Sequence, residues 1–298
     1  MAKLTFYDSR TVRNKVIRSE QEKILYVYGQ AAQELGNRIN YIGDKMKRWQ
    51  LMMLKDEIDT NMKNIAVTLD EMYRTGMYEI SSAVCNDMRR FLNYVDVQNT
   101  DRMMLGVPNQ IVESIVTGKI YDKKWYLSDA VWATPKKAQL DAESIIARGI
   151  AENKDIFQIA KDLEMYLVPN KRKMVSWSRY YKGVSGSIEY NSMRLARTLS
   201  QHAYQQTFET VNRYNPFVES YKWYISSNDR VCSICRDREG IIYSKEDLPQ
   251  DHPNGQCWWE CIMTDSMDGI ANRLVDWYNS PTGTDADLDL YMEWLENN

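Results

Sequence analysis

The chain is poor in histidine, with only two among 298 residues, and it contains no run of about 18 apolar residues that could span a membrane. A shortage of histidine limits acid–base chemistry, because one histidine bound to a metal leaves a single other for catalysis. The polar start MAKLTFYDSR also lacks the apolar core of a signal peptide. We therefore predict a protein that is made and kept in the cytosol, where thiols stay reduced.

Several enzyme motifs are missing as well. The sequence has no Walker loop, dinucleotide fingerprint or HExxH, and it lacks the HxE and PCxxC elements of zinc deaminases. A formal net charge of -3 provides no general attraction to nucleic acid or to an anionic membrane. With 27% charged and 44% hydrophobic residues, the composition is that of a globular protein of roughly two domains.

Cysteine is concentrated in one place. Four of the five cysteines and one of the two histidines fall within a stretch of 30 residues. Zinc takes four thiolate or imidazole ligands, often as two close pairs separated by a loop. This spacing predicts a zinc site, with the preferred ligands Cys232, Cys235, His252 and Cys257. The spacing alone leaves Cys261 open as an alternative to Cys257 as the fourth ligand.

The residues around the cysteines predict a small β unit. Tyr221, Trp223 and Ile225 alternate with polar residues as in a strand, and Gly240 precedes a second apolar run. The turn-forming residues that follow His252 can fold the second ligand pair back over the first. We expect the pairs to lie on a hairpin and its return loop.

The cysteines allow two other interpretations, a redox pair and buried structural thiols. A redox CxxC pair usually opens a helix within a βαβ unit, and Val231 to Arg238 lacks that context. Buried thiols that pack as small apolar groups explain one or two cysteines better than four. A metal site is therefore the preferred interpretation.

The stretch YKWYISSNDRVCSICRDREGIIYSKEDLPQDHPNGQC resembles the C-terminal signature of the phage head morphogenesis family, the minor head proteins of tailed phages such as Mu and SPP1. The matching parts lie, in order, at Trp223, Asp229, Arg230, Cys232, Cys235, Gly240, His252, Pro253 and Asn254. Upstream, Arg194, Arg197 and Thr198 resemble the RxxRT helix of the family. The resemblance covers roughly residues 121 to 262.

The resemblance implies a noncatalytic minor head protein that binds the portal protein inside the procapsid and assists head assembly and DNA packaging or ejection. By the same resemblance, further expected partners are the scaffold protein or the major capsid protein, and viral DNA. The implied location is the virion interior near the portal, after assembly in the host cytoplasm. The alternative is a zinc-dependent nuclease or another DNA-processing enzyme, and a host or toxin-system protein that carries the same module is a third possibility.

Two positions depart from the family pattern. The family closes its signature with HPNCRC, whereas this chain has Gly255 at the first of those cysteines. The family also places an acidic residue after the RT pair, where this chain has Leu199. For Arg194, Arg197 and Thr198 we expect a structural role beside the cysteine unit, because a guanidinium suits carboxylates and backbone carbonyls.

Helical periodicity dominates the rest of the chain. Residues 16–94 carry apolar residues at steps of three and four, which predicts two or three long helices with kinks or turns at Gly36, Gly43 and Gly76. Further helices are expected on both sides of a break near Asn153 and over Tyr190 to Val211. The lone His202 on that last helix is predicted to be a packed side chain. The fold class is mainly α (α+β).

The chain divides by sequence into an N-terminal helical region (1–120), a central helical part (121–222), the Cys/His unit (223–264) and an acidic tail (265–298). The tail predicts a short amphipathic helix that docks either on this protein, which is favoured, or on a partner. A basic loop at 169–183 interleaves cations with aromatic residues and is the candidate contact to nucleic acid, and a solvated loop is the alternative explanation. Its cations are Lys171, Arg172, Lys173, Arg179 and Lys182.

Overall fold

The computed structural model describes residues 4–122, 124, 126–169, 188–226, 231–280 and 283–298. These residues form a mainly helical protein with one small antiparallel sheet near the C-terminus, which confirms the predicted fold class. No helix among them is long and apolar enough to cross a membrane.

The helices are α1 (Tyr7–Ile42), α2 (Arg48–Tyr94), α3 (Val107–Val116), α4 (Leu127–Ala151), α5 (Ile156–Leu167), α6 (Ile188–Asn212), α7 (Ser233–Arg238), α8 (Met267–Asn279) and α9 (Ala286–Asn297). The strands are β1 (Val218–Tyr224), β2 (Ile242–Ser244) and β3 (Trp258–Met263). Short 3₁₀ turns lie at Gly43–Lys45, Thr100–Arg102 and Lys119–Tyr121.

The N-terminal periodicity corresponds to two long helices, as predicted. α1 and α2 are separated by a turn at Gly43, whose φ of 69° lies in the left-handed region. Gly36 and Gly76, where kinks or turns were predicted, do not form turns. Both glycines lie inside continuous helices. A single glycine in a helix costs about 1 kcal/mol, which the buried positions around it readily offset.

The apolar stripe of α1 is also largely as expected. Ile24, Tyr28 and Leu35 are fully buried, whereas Trp49 is 58% exposed. Trp49 follows the turn at Gly43, so it begins a new helix and no longer continues the face that α1 buries. If the three- and four-residue spacing of α1 is continued past the turn, it wrongly predicts that Trp49 is buried.

Two compact units form from segments that are far apart in sequence. One unit comprises Met1–Ile17, Arg74–Ile115 and Arg197–Asn298, and the other comprises Arg18–Tyr73 and Val116–Ala196. These units differ from the four consecutive segments expected from composition. Each unit is made of helical segments that are far apart in sequence. The local sequence does not show which distant segments pack together, so it does not indicate the boundaries of the units.

The unit containing Arg18–Tyr73 holds α4 and α5, separated by the predicted break. Asn153 has a φ of 54°, and the Asp155 side chain accepts from the backbone N–H groups of Phe157 and Gln158 at the start of α5. In the same unit the Tyr73 hydroxyl donates to the Ser192 carbonyl at 2.9 Å, at the beginning of α6.

The other unit contains the sheet, with the strand order β2-β1-β3. Tyr221 pairs with Cys261 and Trp223 with Trp259, and all four side chains are buried on one face. The Trp223 and Trp259 rings meet edge to face at 5.3 Å. Tyr204 of α6 stacks on Trp259 at 6.0 Å, so α6 covers this face of the sheet.

The acidic tail docks on its own chain, as favoured from the sequence. Leu288, Tyr291 and Leu295 of α9 are fully buried, and the Tyr291 hydroxyl lies 3.4 Å from the Met88 sulfur in the same unit. Asp285 caps the helix by accepting from the Leu288 N–H at 3.2 Å.

Candidate metal centre

The CxxC pair lies at the start of α7, a helix of six residues between β1 and β2. Cys232 is its N-cap, and the Cys232 sulfur accepts from the Cys235 N–H at 3.4 Å. This short helix was not predicted from the sequence. A six-residue helix is too short to show a 3.6-residue period, and no βαβ unit surrounds it, because the sheet is antiparallel.

The second pair lies on the loop between β2 and β3, which reverses direction directly after His252. Asn254 adopts a φ of 69°, and the Gly255 N–H donates to the His252 carbonyl at 2.9 Å. This turn brings Cys257 back beside Cys235, where the two sulfurs lie 3.4 Å apart. The turn chemistry expected of Pro253, Asn254 and Gly255 is thus present.

The donor atoms of the two pairs converge. His252 Nε2 lies 3.2 Å from the Cys232 sulfur and 3.0 Å from the Cys235 sulfur. In a tetrahedral site with ordinary zinc bond lengths, neighbouring sulfur and nitrogen ligands lie about 3.5 Å apart. The donor atoms of Cys232, Cys235 and His252 lie within 4.8 Å of one another, and Cys257 adjoins this group through Cys235, so the cluster of these four residues could hold a metal ion.

The tautomer of His252 suits a ligand. Its Nδ1 lies 2.9 Å from the Pro253 carbonyl, which favours a proton on that nitrogen and leaves the Nε2 lone pair facing the sulfurs. Burial opposes the charged imidazolium, but the Pro253 carbonyl and the Asp251 carboxylate outweigh it and raise the pKa of His252.

The three thiols differ in acidity. The Cys235 backbone N–H lowers the pKa of Cys232, with a contribution from His252. Burial raises the pKa of Cys235, and it raises that of Cys257 to about 11. A divalent cation would reverse these last two shifts, because coordination deprotonates a thiol outright.

Asp251 is a member of the site that the sequence reasoning missed. Its carboxylate, Cys235 and Cys257 form a second group whose donor atoms lie within 4.8 Å of one another. The carboxylate also accepts from the N–H groups of His252 at 2.9 Å and Cys257 at 3.1 Å. Asp251 thus fixes the loop at His252 and at Cys257. The only sequence feature that could have indicated this role is its position directly before His252.

Gly255 explains the departure from the family signature in physical terms. A Cβ atom at this position would meet the Asp251 Oδ2 atom at 2.2 Å. The carboxylate therefore occupies the space that a cysteine side chain would need.

Cys261 belongs to neither group of donor atoms. It lies on β3, and its sulfur is 3.9 Å from Asn212 Oδ1 in the core behind the sheet. Four residues of extended chain separate it from Cys257 by about 13 Å. The structure therefore favours Cys257 over Cys261 as the fourth ligand.

α6 supports the loop from the side. The Arg197 Nε group donates to the Asn254 side chain, and the Thr198 hydroxyl accepts from the Asn254 N–H at 2.8 Å. These contacts agree with the expected structural role, while Arg194 is exposed further along the helix. Leu199, where the family has an acidic residue, is a buried core side chain.

His202 is a packed histidine, as expected. It is 3% exposed, its Nε2 lies 3.2 Å from the Asp251 carbonyl, and burial lowers its pKa. The candidate nucleic-acid residues Lys171, Arg172, Lys173, Arg179 and Lys182 lie outside the described residues, as do Asp229 and Arg230 of the family signature.

The chain matches no family model, no curated protein and no solved structure. The likeness to head morphogenesis proteins therefore depends on the residues named above.

Proposed function

We propose that this chain is a noncatalytic minor head protein of a tailed phage, which binds the portal inside the procapsid and assists head assembly and DNA packaging or ejection. The support is the combined resemblance of the RxxRT helix and the CxxC and HPN segments. In the folded chain these three segments contact one another around Asn254 and His252. Residues that match a signature and also meet in space are better support than residues that match in sequence alone.

The proposed cofactor is a structural Zn²⁺ ion. The observation that carries this proposal is that His252 Nε2 lies 3.2 Å from the Cys232 sulfur and 3.0 Å from the Cys235 sulfur, while the Cys257 sulfur lies 3.4 Å from that of Cys235. Thiolate-rich sets with one imidazole are typical of structural zinc, and four protein donors leave no open position for activated water. The ion would join α7 to the loop that precedes β3.

The environment of the histidines supports a noncatalytic role over the nuclease alternative. A zinc-supported nuclease needs a histidine besides the structural ligands, and His202 is the only candidate. That side chain is 3% exposed and faces the backbone of Asp251. A general base must reach its substrate, and His202 is buried away from solvent.

The partners follow from the proposed role. They are the portal protein, scaffold or major capsid protein, and viral DNA. The chain would act in the host cytoplasm during assembly and then remain inside the head near the portal. The genomic neighbourhood tests this directly, since genes for portal and terminase are expected beside the gene for this chain.

Metal content is the first experiment. Protein purified without added zinc is analysed by elemental mass spectrometry, together with Cys232→Ser, Cys257→Ser and Cys261→Ser variants. We expect one zinc per chain in the wild type, and its loss with Cys232→Ser or Cys257→Ser. Cys261→Ser is the matched control, because it removes a buried thiol outside the cluster. A wild-type protein without metal would overturn the zinc proposal.

Portal binding is the second experiment. The chain is co-expressed with the portal protein encoded in the same genome, and the mixture is separated by size-exclusion chromatography. A stable complex is expected. If no complex forms, and the purified chain cleaves plasmid DNA with divalent metal in a manner abolished by His202→Ala or His252→Ala, the nuclease alternative replaces this proposal.

A further inference from the structure

The first turns of α2 carry apolar side chains on both faces of the helix. Leu51 and Leu54 are completely buried, whereas Trp49, Met52 and Met53 are exposed. The three exposed residues stand at positions i, i+3 and i+4, so they share one face of the helix. The core therefore uses one face of these turns and leaves a second apolar face in solvent. A contiguous apolar surface of this kind marks an interaction site.

The end of α1 adds another aromatic ring next to the turn between the two helices. Tyr41 lies two residues before the turn at Gly43, and it is 92% exposed. Across the turn, the Arg38 guanidinium of α1 pairs with the Glu57 carboxylate of α2 at 3.0 Å, so the two helices lie side by side here. We call the four exposed apolar residues the tip patch: Tyr41, Trp49, Met52 and Met53.

The start of α2 is well anchored. The Lys47 N–H donates to Gln50 Oε1 at 2.8 Å, which is the contact that a capping box makes at the first turn of a helix. Met46 and Leu51 are both buried, at the positions where a hydrophobic staple fixes the entry of the chain into a helix. The tip patch is therefore presented by an ordered turn, and its exposure is not a result of fraying.

Basic side chains surround the tip patch. Lys45, Lys47 and Arg48 are exposed, and none of them forms an ion pair with a residue that the structure describes. Asp44 is the only acidic residue in the segment 41–53. The local charge is therefore positive, although the whole chain carries a formal net charge of -3.

We propose that the tip patch and these three cations bind the surface of a membrane that contains anionic lipids. Tryptophan and tyrosine concentrate at the boundary between headgroups and acyl chains, and exposed lysine and arginine are attracted to anionic headgroups. The apolar side chains enter this boundary, while the cations remain at the level of the phosphates. The surface lies within the segment Arg18–Tyr73 of one compact unit, and it depends neither on the metal site nor on the proposed role in the phage head.

The size of the surface favours lipid over a protein partner. A stable protein–protein interface takes about 20–30 residues from each partner. The tip patch and its cations provide four apolar side chains and three charged ones around a single turn. A lipid surface requires no shape complementarity, and a few interfacial side chains with basic neighbours are enough to bind it. A second copy of this chain or a partner protein therefore fits the surface less well.

The test uses the full-length protein and vesicles made of equal parts phosphatidylcholine and phosphatidylglycerol. Binding is measured by co-sedimentation, with vesicles of phosphatidylcholine alone for comparison. We expect binding to the mixed vesicles and much weaker binding to the neutral ones. Added salt should weaken binding to the mixed vesicles, because it screens the attraction between the cations and the headgroups.

Two variants separate the apolar and the charged contributions. Trp49→Ala should weaken binding to mixed vesicles about 10-fold or more, since it removes a large side chain that lipid would bury. The combined change Lys45→Gln, Lys47→Gln and Arg48→Gln should weaken binding about 100-fold, because each basic residue near the surface contributes about 5-fold. Thermal unfolding shows that the variants remain folded, which is expected for exposed side chains.

Trp132 provides a matched control, since it is an exposed tryptophan of α4 in the same compact unit. Gln139 Nε2 of α4 donates to Asp59 Oδ2 of α2 at 3.3 Å, and Glu143 pairs with Lys55 at 3.2 Å. α4 is therefore antiparallel to α2, and Trp132 lies at the end of α4 that is distant from the tip patch. Trp132→Ala should leave vesicle binding unchanged.

Hydrogen exchange with and without mixed vesicles locates the contact. Vesicles should protect peptides that cover residues 41–53 and leave residues 127–140 unchanged. The proposal is overturned if the wild type does not bind mixed vesicles, if Trp132→Ala weakens binding as much as Trp49→Ala, or if protection appears only elsewhere.

The other occupants have their own signatures in the absence of vesicle binding. A dimer in solution that Trp49→Ala dissociates would make the tip patch an interface between two copies of the chain. A complex with the portal protein that Trp49→Ala abolishes would make it a protein-docking surface. Either result would replace the lipid proposal.

Discussion

At the scale of single residues, the loop before β3 is organised around one carboxylate. Asp251 accepts from the N–H groups of His252 and Cys257 and from the Gln201 side chain. It is 2% exposed and packs directly against Gly255. The conformation of the loop that carries His252 and Cys257 therefore depends on the Asp251 carboxylate.

We predict that Gly255→Ala destabilises the protein. The new Cβ would meet the Asp251 carboxylate atoms at 2.2 to 2.4 Å, and overpacking of a buried site costs about 1–3 kcal/mol. Chemical denaturation measures the free energy of unfolding. Gly29→Ala is the control, since a Cβ there has nothing within 4 Å, and alanine favours the helix. Equal stability of Gly255→Ala and wild type would contradict the packing described for this loop.

The sequence predicts the cluster of cysteines and histidine better than the residues that support it. Cys232, Cys235, His252 and Cys257 were identified by spacing, because metal ligands come in close pairs. Asp251 was missed, since its role depends on contacts that no local pattern encodes. The Arg13 guanidinium donates to the Cys257 carbonyl at 3.0 Å, and only the folded chain brings these residues together across 244 positions.

At the scale of elements, α9 is fixed at its first turn by an ion pair and a cap on the same side chain. The Arg273 guanidinium of α8 donates to both carboxylate oxygens of Asp285, at 2.7 and 2.9 Å. The hydrogen bond from Arg273 lowers the pKa of Asp285. One carboxylate thus joins α8 to α9 and also satisfies the Leu288 N–H.

We predict that Asp285→Asn lowers stability at pH 7 by about 0.5–1 kcal/mol, a range already reduced for solvent screening. Asparagine caps a helix as well as aspartate, so the change isolates the ion pair. Because the folded pKa is depressed, this stabilisation is complete above the unfolded pKa and is lost as the pH falls through the folded value.

Thermal unfolding at pH 7 and at about pH 2–3 measures the effect. The difference in melting temperature between wild type and Asp285→Asn should shrink toward zero at the lower pH. Asp285→Ala serves as a comparison, since it removes the cap together with the charge and should keep a deficit at both pH values. A deficit of Asp285→Asn that did not depend on pH would show that the ion pair contributes nothing.

Long helices were predicted correctly because their periodicity extends over many turns. The 36 residues of α1 and the 47 of α2 repeat their apolar positions often enough to outweigh single glycines. α7, with six residues, was missed because its N-cap is a cysteine, which is not among the usual capping residues. The sequence signal of an element thus scales with its length.

At the scale of the whole molecule, the Cys/His cluster lies in a unit assembled from three separate chain segments. Composition and local breaks predicted four consecutive regions. The difference arises because α1, α2 and α6 each carry residues of both units, and a helix that continues across a boundary shows no linker.

We predict that removal of the metal loosens one region much more than the rest. In small metal-stapled elements the free energy of binding is also free energy of folding. A strong chelator should therefore increase amide hydrogen exchange most in α7 and in the loop at residues 251–257. Exchange in α4 and α5 should change much less. Mass spectrometry of peptic fragments with and without chelator measures this, and uniform or unchanged exchange would contradict the prediction.

The hydrogen bond from Arg13 to the Cys257 carbonyl has a consequence for synthesis on the ribosome. The two residues are separated by 244 positions, so the first turns of α1 are made long before their partner exists. At about 5–20 residues per second, this interval lasts roughly 10–50 s. During that time the hydrogen bond to the Cys257 carbonyl cannot form, although the guanidinium can bond to Asn14 and, once α6 is made, to Gln201. A nascent chain that stops before Cys257 cannot complete this unit, whatever the supply of metal.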